Sequence, residues 1–103
     1  MRAMVLHQFS SPLRMENVPD PQAGLDEVVV KVKACAPDML DVKTRAGQSN
    51  VTLPRILGHE IAGEVAEAGA SVKNVRVGDR VAVYDYLNCG VCEFCWNGRE
   101  TLC

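Results

Sequence analysis

Four cysteines recur at a fixed rhythm, Cys89-x2-Cys92-x2-Cys95-x7-Cys103. Thiolates three residues apart can grip one ion from a single turn of chain. A fourth, returning from a short excursion, completes a tetrahedron. Zinc takes all-cysteine sets of this kind in structural sites, with every position filled and none left open for water. The array reads as a metal clip and not as a reaction centre. Three other readings use the same residues. Two disulfides would need an oxidising compartment, but the apolar run in Met1-Arg2-Ala3-Met4-Val5-Leu6 is far shorter than the about 7–15 residues of a signal core. Thiols that stay inside the cell stay reduced. An iron–sulfur cluster is compatible with Cys-x2-Cys-x2-Cys, although ferredoxins place their fourth cysteine in a different context. Plain buried thiols leave the strict spacing in a Gly- and Asn-bearing loop unexplained.

A second constellation is Gly58-His59-Glu60. A neutral imidazole is a good zinc ligand, and Glu60 can serve as ligand or general base. Neighbours on a strand point to opposite faces, so joint ligation requires a bulge or loop here, and Gly58 lowers the strain of one. Asp38 and Asp41 stand three residues apart and share one face of a proposed helix. Asp38 could ligate a metal, and Asp41 could hold the second nitrogen of His59 and fix its tautomer. On residue type alone the plainer assignment stands first: a satisfied histidine beside a solvated glutamate, with the aspartates as cap and first-turn charges.

The elements that position these residues are short. Residues 2–7 and 13–18 read as strands joined by Gln8-Phe9-Ser10-Ser11-Pro12. Pro19 to Gly24 is a loop. Asp26 to Cys35 is the clearest strand, with Val28, Val30 and Val32 on one face and Lys31 and Lys33 on the other. Cys35 falls in this apolar pattern and is expected to be a buried spectator. Asp38 to Ala46 reads as a helix capped by Asp38, stopped by Gly47 and covering the core with Met39, Leu40, Val42 and Ala46. Ile56 to Val72 is assigned to strand, because Gly58, Gly63 and Gly69 argue against a helix interior. A turn at Val75–Asp79 leads to a strand over Arg80–Tyr84. Short strands broken by Gly and Pro, with one small helix, point to an open or closed antiparallel barrel. Gly-x4-Gly-x5-Gly over 58–69 is not the dinucleotide-binding Gly-x-Gly-x-x-Gly.

The bulk numbers exclude several classes. A chain of 103 residues fits one domain with a modest core. A net charge of −2 carries no basic footprint, so no nucleic-acid partner is expected. No apolar stretch approaches the roughly 20 residues of a membrane span, so neither is a membrane. The chain ends on the fourth thiol itself, and termini fray. A piece of something longer is therefore expected.

Taken together, Glu27-Val28-Val29-Val30-Lys31-Val32-Lys33-Ala34-Cys35, Asp41 to Gly47, Leu53-Pro54-Arg55-Ile56-Leu57-Gly58-His59-Glu60-Ile61-Ala62-Gly63, Val77-Gly78-Asp79-Arg80-Val81 and the cysteine lobe at 88–103 resemble the chaperonin-10-like (GroES-like) N-terminal part of the zinc-containing alcohol dehydrogenases, in the medium-chain dehydrogenase/reductase superfamily. The resemblance spans essentially the whole chain. It implies a mainly β, partly open GroES-like barrel with a short helix and a zinc lobe, incomplete within 1–103. It further implies a Rossmann domain outside this chain, NAD or NADP in the cleft between the two, a cytoplasmic location and a homodimer or homotetramer. It raises His59 and Glu60 to site residues. Alone, 1–103 is expected neither to bind NAD(P) nor to turn over substrate.

One departure bears on chemistry. Where the family usually has Cys-His-Thr-Asp or Cys-x-Ser-Asp, this chain has Asp38-Met39-Leu40-Asp41. Asp38 takes the place of the cysteine that would hold a catalytic zinc, as in some similar glucose dehydrogenases. A carboxylate is a legitimate zinc ligand. Leu40 replaces the hydroxyl that begins proton release, and leucine cannot pass a proton on. Three functions follow. The first is a dehydrogenase of alcohols, polyols or sugars, with Asp38, His59 and Glu60 on a catalytic zinc and Asp41 behind them. The second is a reductase of activated double bonds, enoyl thioester or quinone, with structural zinc alone. The third is a non-enzymatic, zinc-stapled binding module.

Overall fold

The computed structural model describes residues 1–103, an elongated body of 40 × 30 × 20 Å. It contains two separate three-stranded antiparallel sheets. In the first, β1 (Arg2–Leu6) pairs with β2 (Arg14–Asn17) and, on its other edge, with β4 (Arg55–Ile56). In the second, β5 (Glu60–Ala68) lies between β3 (Val28–Ala36) and β6 (Arg80–Ala82). No ladder joins the two sheets, so the barrel is open. The mainly β, partly open architecture expected from the sequence is present.

Gly63 shows why 60–68 is strand. A Cβ there would meet the Lys31 carbonyl oxygen at 2.5 Å, so β3 and β5 approach closely only over a glycine. The segment read as one strand from Ile56 to Val72 is in fact two, β4 and β5, separated at Leu57–His59. Gly58 has φ +104, a backbone region open to glycine, and there the ladder stops.

The β3 alternation does not run through. The pairing with β5 shifts between Val29 and Val30 and again between Val32 and Ala34, where Lys33 is the extra residue. Such bulges break the two-residue rhythm. Residues 31–36 are all exposed, and Cys35 is exposed with them instead of buried. The buried apolar core is small: Leu6, Val65 and Val5.

Helix α1 (Met39–Arg45) begins as read. The Asp38 carboxylate accepts the Leu40 amide at 2.6 Å, while the Asp38 amide donates to Asp41 Oδ2 at 3.0 Å, a reciprocal cap. Gly47, with φ +80, follows the helix end. Its apolar residues do not cover the core, since Met39, Leu40 and Val42 are exposed. Thr44 is the buried residue of α1, and its hydroxyl donates to Ser49 Oγ at 3.0 Å. Within the cysteine lobe lie two elements read from sequence only as loop. These are α2 (Glu93–Trp96) and a 3-10 turn at Glu100–Leu102.

Candidate metal centres

The lobe folds back so that the four sulfurs of Cys89, Cys92, Cys95 and Cys103 lie within 4.8 Å of one another. Cys92 Sγ is 3.6 Å from Cys95 Sγ, and Cys89 Sγ is 4.0 Å from Cys95 Sγ. A disulfide requires about 2.05 Å, so these thiols are not paired with one another. A tetrahedron with metal–sulfur bonds of about 2.3 Å has edges of about 3.8 Å, and the observed separations bracket that length.

The backbone prepares the cluster for anions. Cys92 caps α2, and the 3-10 turn delivers Cys103. The Val91 amide donates to Cys89 Sγ at 3.5 Å and the Cys89 amide to Cys103 Sγ at 3.3 Å. The Val91 amide, with help from the Cys103 and Cys92 thiols, lowers the Cys89 thiol to about 6. Loss of water and the adjoining Cys92 thiol push Cys95 up to about 11. Four free thiols sharing one centre form an all-sulfur ligand set suited to a cation.

The second group sits where α1, the Gly58 break and the start of β5 converge. Ligand atoms of Asp38, His59 and Glu60 all lie within 4.8 Å of one another. His59 is in the loop before β5, not in the strand, which frees it from strand alternation and lets it share a centre with Glu60. Its Nε2 stands 3.9 Å from Asp38 Oδ1. Its Nδ1 faces Asp41 Oδ2 at 3.5 Å and has no hydrogen-bond partner although buried.

Asp41 is held from three sides. The Gly58 amide donates to its Oδ1 at 2.9 Å, the Asp38 amide to its Oδ2, and His59 adjoins it. Burial works to raise its pKa, but the Asp38 and Gly58 amides, followed by the charge of His59, outweigh it and leave the carboxyl below its ordinary value. Asp38 keeps its capping bond while facing His59, so both roles read for it from sequence are geometrically compatible. A carboxylate has about four lone-pair positions. All eight residues singled out by sequence are thus gathered into two groups. Asp85, which borders an open cleft of about 370 Å³ with His59 and Glu60, was not singled out, because a lone aspartate between two tyrosines carries no spacing signal.

Residues 24–103 match the alcohol dehydrogenase GroES-like domain. The chain belongs to that family. Over its full length it is 44% identical to sorbitol dehydrogenase of Bacillus subtilis, covering 30% of that protein. It is 36% identical to acryloyl-coenzyme A reductase of Sulfurisphaera tokodaii, covering 31%. Its fold superposes on a cobalt- and zinc-bound thermostable alcohol dehydrogenase from Pyrobaculum aerophilum with a TM-score of 0.94 at 36% identity, covering all of this chain and 32% of that one. The chain therefore spans under a third of the length of these oxidoreductases. No helix is long and apolar enough to cross a membrane.

Proposed function

We propose that residues 1–103 form the first part of the catalytic domain of a zinc-dependent, NAD(P)-linked dehydrogenase of alcohols, polyols or sugars. A Rossmann domain outside this chain would bind the cofactor. A cytoplasmic homodimer or homotetramer acting on a small molecule belongs to the same reading. The observation that carries it is the convergence of Asp38, His59 and Glu60 as a group separate from the four thiols. The orphaned Nδ1 of His59 supports the fit: its N–H can donate to the Asp41 carboxylate, which leaves Nε2 directed toward Asp38 and a cation.

In this reading Cys89, Cys92, Cys95 and Cys103 hold a structural zinc, and Asp38, His59 and Glu60 hold a second. Zinc in the second set supplies Lewis acidity toward a hydroxyl or carbonyl oxygen. Across the reaction an alcohol and NAD(P)+ give a carbonyl compound, NAD(P)H and one proton, the carbinol C–H pair passing as hydride to the cofactor. Asp41 fixes the His59 ring, and Gly58 and the cap of α1 fix Asp41. Leu40 carries no proton, so release proceeds without a hydroxyl at that position.

The second reading, a reductase of activated double bonds, is favoured by Asp38 and Leu40 standing where a cysteine and a hydroxyl are usual. The full-length protein, assayed with His59→Ala and Glu60→Ala, separates the two. Loss of alcohol oxidation by about 100-fold or more in both variants supports the first, on the scale expected of removing a group that acts in the transition state. NAD(P)H-dependent reduction of enoyl thioesters that both variants retain supports the second.

A further inference from the structure

The two ligand groups differ in donor chemistry as well as in place. Cys89, Cys92, Cys95 and Cys103 offer four sulfurs and no oxygen. Asp38, His59 and Glu60 offer two carboxylates, one imidazole and no sulfur. The fifth cysteine, Cys35, belongs to neither group. Soft thiolates select zinc among the divalent ions, whereas carboxylate oxygens also suit harder ions such as manganese. Zinc outbinds manganese at either kind of site, but the margin narrows when sulfur is replaced by oxygen.

The openness of each group points the same way. Four sulfurs within 4.8 Å of one another complete a tetrahedron and leave no position over. The second group has three residues and faces solvent. Its Asp38 side chain is 45% exposed, Glu60 is exposed, and the cleft of about 370 Å³ opens on His59 and Glu60. Each carboxylate can bind through one oxygen or two. An ion that requires six ligands can find them there from protein and solvent together, and not in the lobe.

We propose that the two centres sort metals: the lobe retains zinc, while Asp38 makes the second centre an exchangeable site that takes Mn2+ in place of zinc. The inference rests on the two-metal dehydrogenase reading above and assigns Asp38 as the residue that sets metal preference at that centre.

The test dialyses the full-length, zinc-loaded protein to equilibrium against a graded excess of Mn2+ and counts both metals per chain by elemental analysis. The expected end point is one zinc and one manganese per chain, with no manganese taken up by His59→Ala. Asp38→Cys returns a sulfur to the centre, so the Mn2+ excess at half-exchange should rise by about tenfold or more, the scale on which changes around a metal ligand move affinity. Asp38 also caps α1, so Asp38→Asn, which keeps a capping oxygen, is measured beside it; it should weaken Mn2+ binding by about tenfold or more. A parent protein that keeps two zincs at every Mn2+ excess overturns the proposal and leaves the dehydrogenase reading intact. So does manganese uptake that survives His59→Ala, or Mn2+ binding that neither Asp38 variant changes. A parent protein that holds one zinc and takes up no manganese ends both.

Discussion

His59 Nδ1 stands 3.5 Å from Asp41 Oδ2, buried and with no other polar partner. That relationship ties the first turn of α1 to the loop before β5. It also determines which imidazole nitrogen is free to face Asp38 and Glu60.

Asp41 carries this link in its charged form. Its folded pKa lies below the ordinary carboxylate value, since the amides of Asp38 and Gly58 and the charge of His59 outweigh burial. A depressed folded pKa contributes stability that is complete above the unfolded value of about 3.9 and is lost as pH falls through the folded value. With metal removed by chelator, the acid limb of unfolding below about pH 4 should therefore flatten in Asp41→Asn. The variant should also lose about 1–3 kcal/mol at pH 7, because the side-chain amide keeps one acceptor oxygen and leaves one of the two backbone amides, of Asp38 or Gly58, without a partner. Urea titrations across pH check this, and superimposable profiles for the two proteins contradict it.

Gly58 has φ +104, and a Cβ there would lie 2.5 Å from Cys35 Sγ. Gly58→Ala should cost on the order of 1–3 kcal/mol from the backbone alone, with the overlap in addition. Cys35→Ala in the same chain should recover the overlap but not the backbone part. Thermal melts of the single and double variants measure both. A Gly58→Ala protein as stable as the parent contradicts the geometry.

The cysteine lobe is expected to draw its order from metal. Cys92→Ser leaves three thiols, and residues 88–103 should lose structure. The melting temperature should fall by about 4–8 °C for each kcal/mol lost in a domain of this size. An unchanged melting temperature argues against the scaffold role.

In metal-free protein the thiols should differ in reactivity. Cys89, lowered to about 6 chiefly by the Val91 amide, is mostly thiolate at neutral pH, whereas Cys95, raised to about 11, is not. Iodoacetamide should label Cys89 first, with its rate rising through about pH 6, and added zinc should protect all four thiols while leaving exposed Cys35 open. Peptide mass mapping reads the order. Equal labelling of Cys89 and Cys95 at pH 7 contradicts it.

Much of this architecture is legible in the residues themselves. Cysteine spacing predicts one shared centre because three-residue steps bring thiols to one side of a turn, and the sulfurs do converge. Asp38 and Asp41 announce a helix start, and they form its reciprocal cap. Other features depend on pairing partners that local pattern does not encode. The bulge at Lys33 arises from how β3 meets β5, so the Val28, Val30, Val32 alternation misplaces the residues beyond it. Met39, Leu40 and Val42 look like a core face but are exposed. Their apolar character fits a surface that packing beyond this chain could cover. The turns at Glu93–Trp96 and Glu100–Leu102 are too short to leave a helical period. Arg55 and Asp85 come from different elements, and only the folded chain shows that they share a cavity.

Metal content decides the central claim. Elemental analysis of the full-length protein should give two zincs per chain, falling to one in His59→Ala while the cysteine lobe stays folded. A single zinc in the parent protein, untouched by His59→Ala, would contradict a second, reactive centre at Asp38, His59 and Glu60.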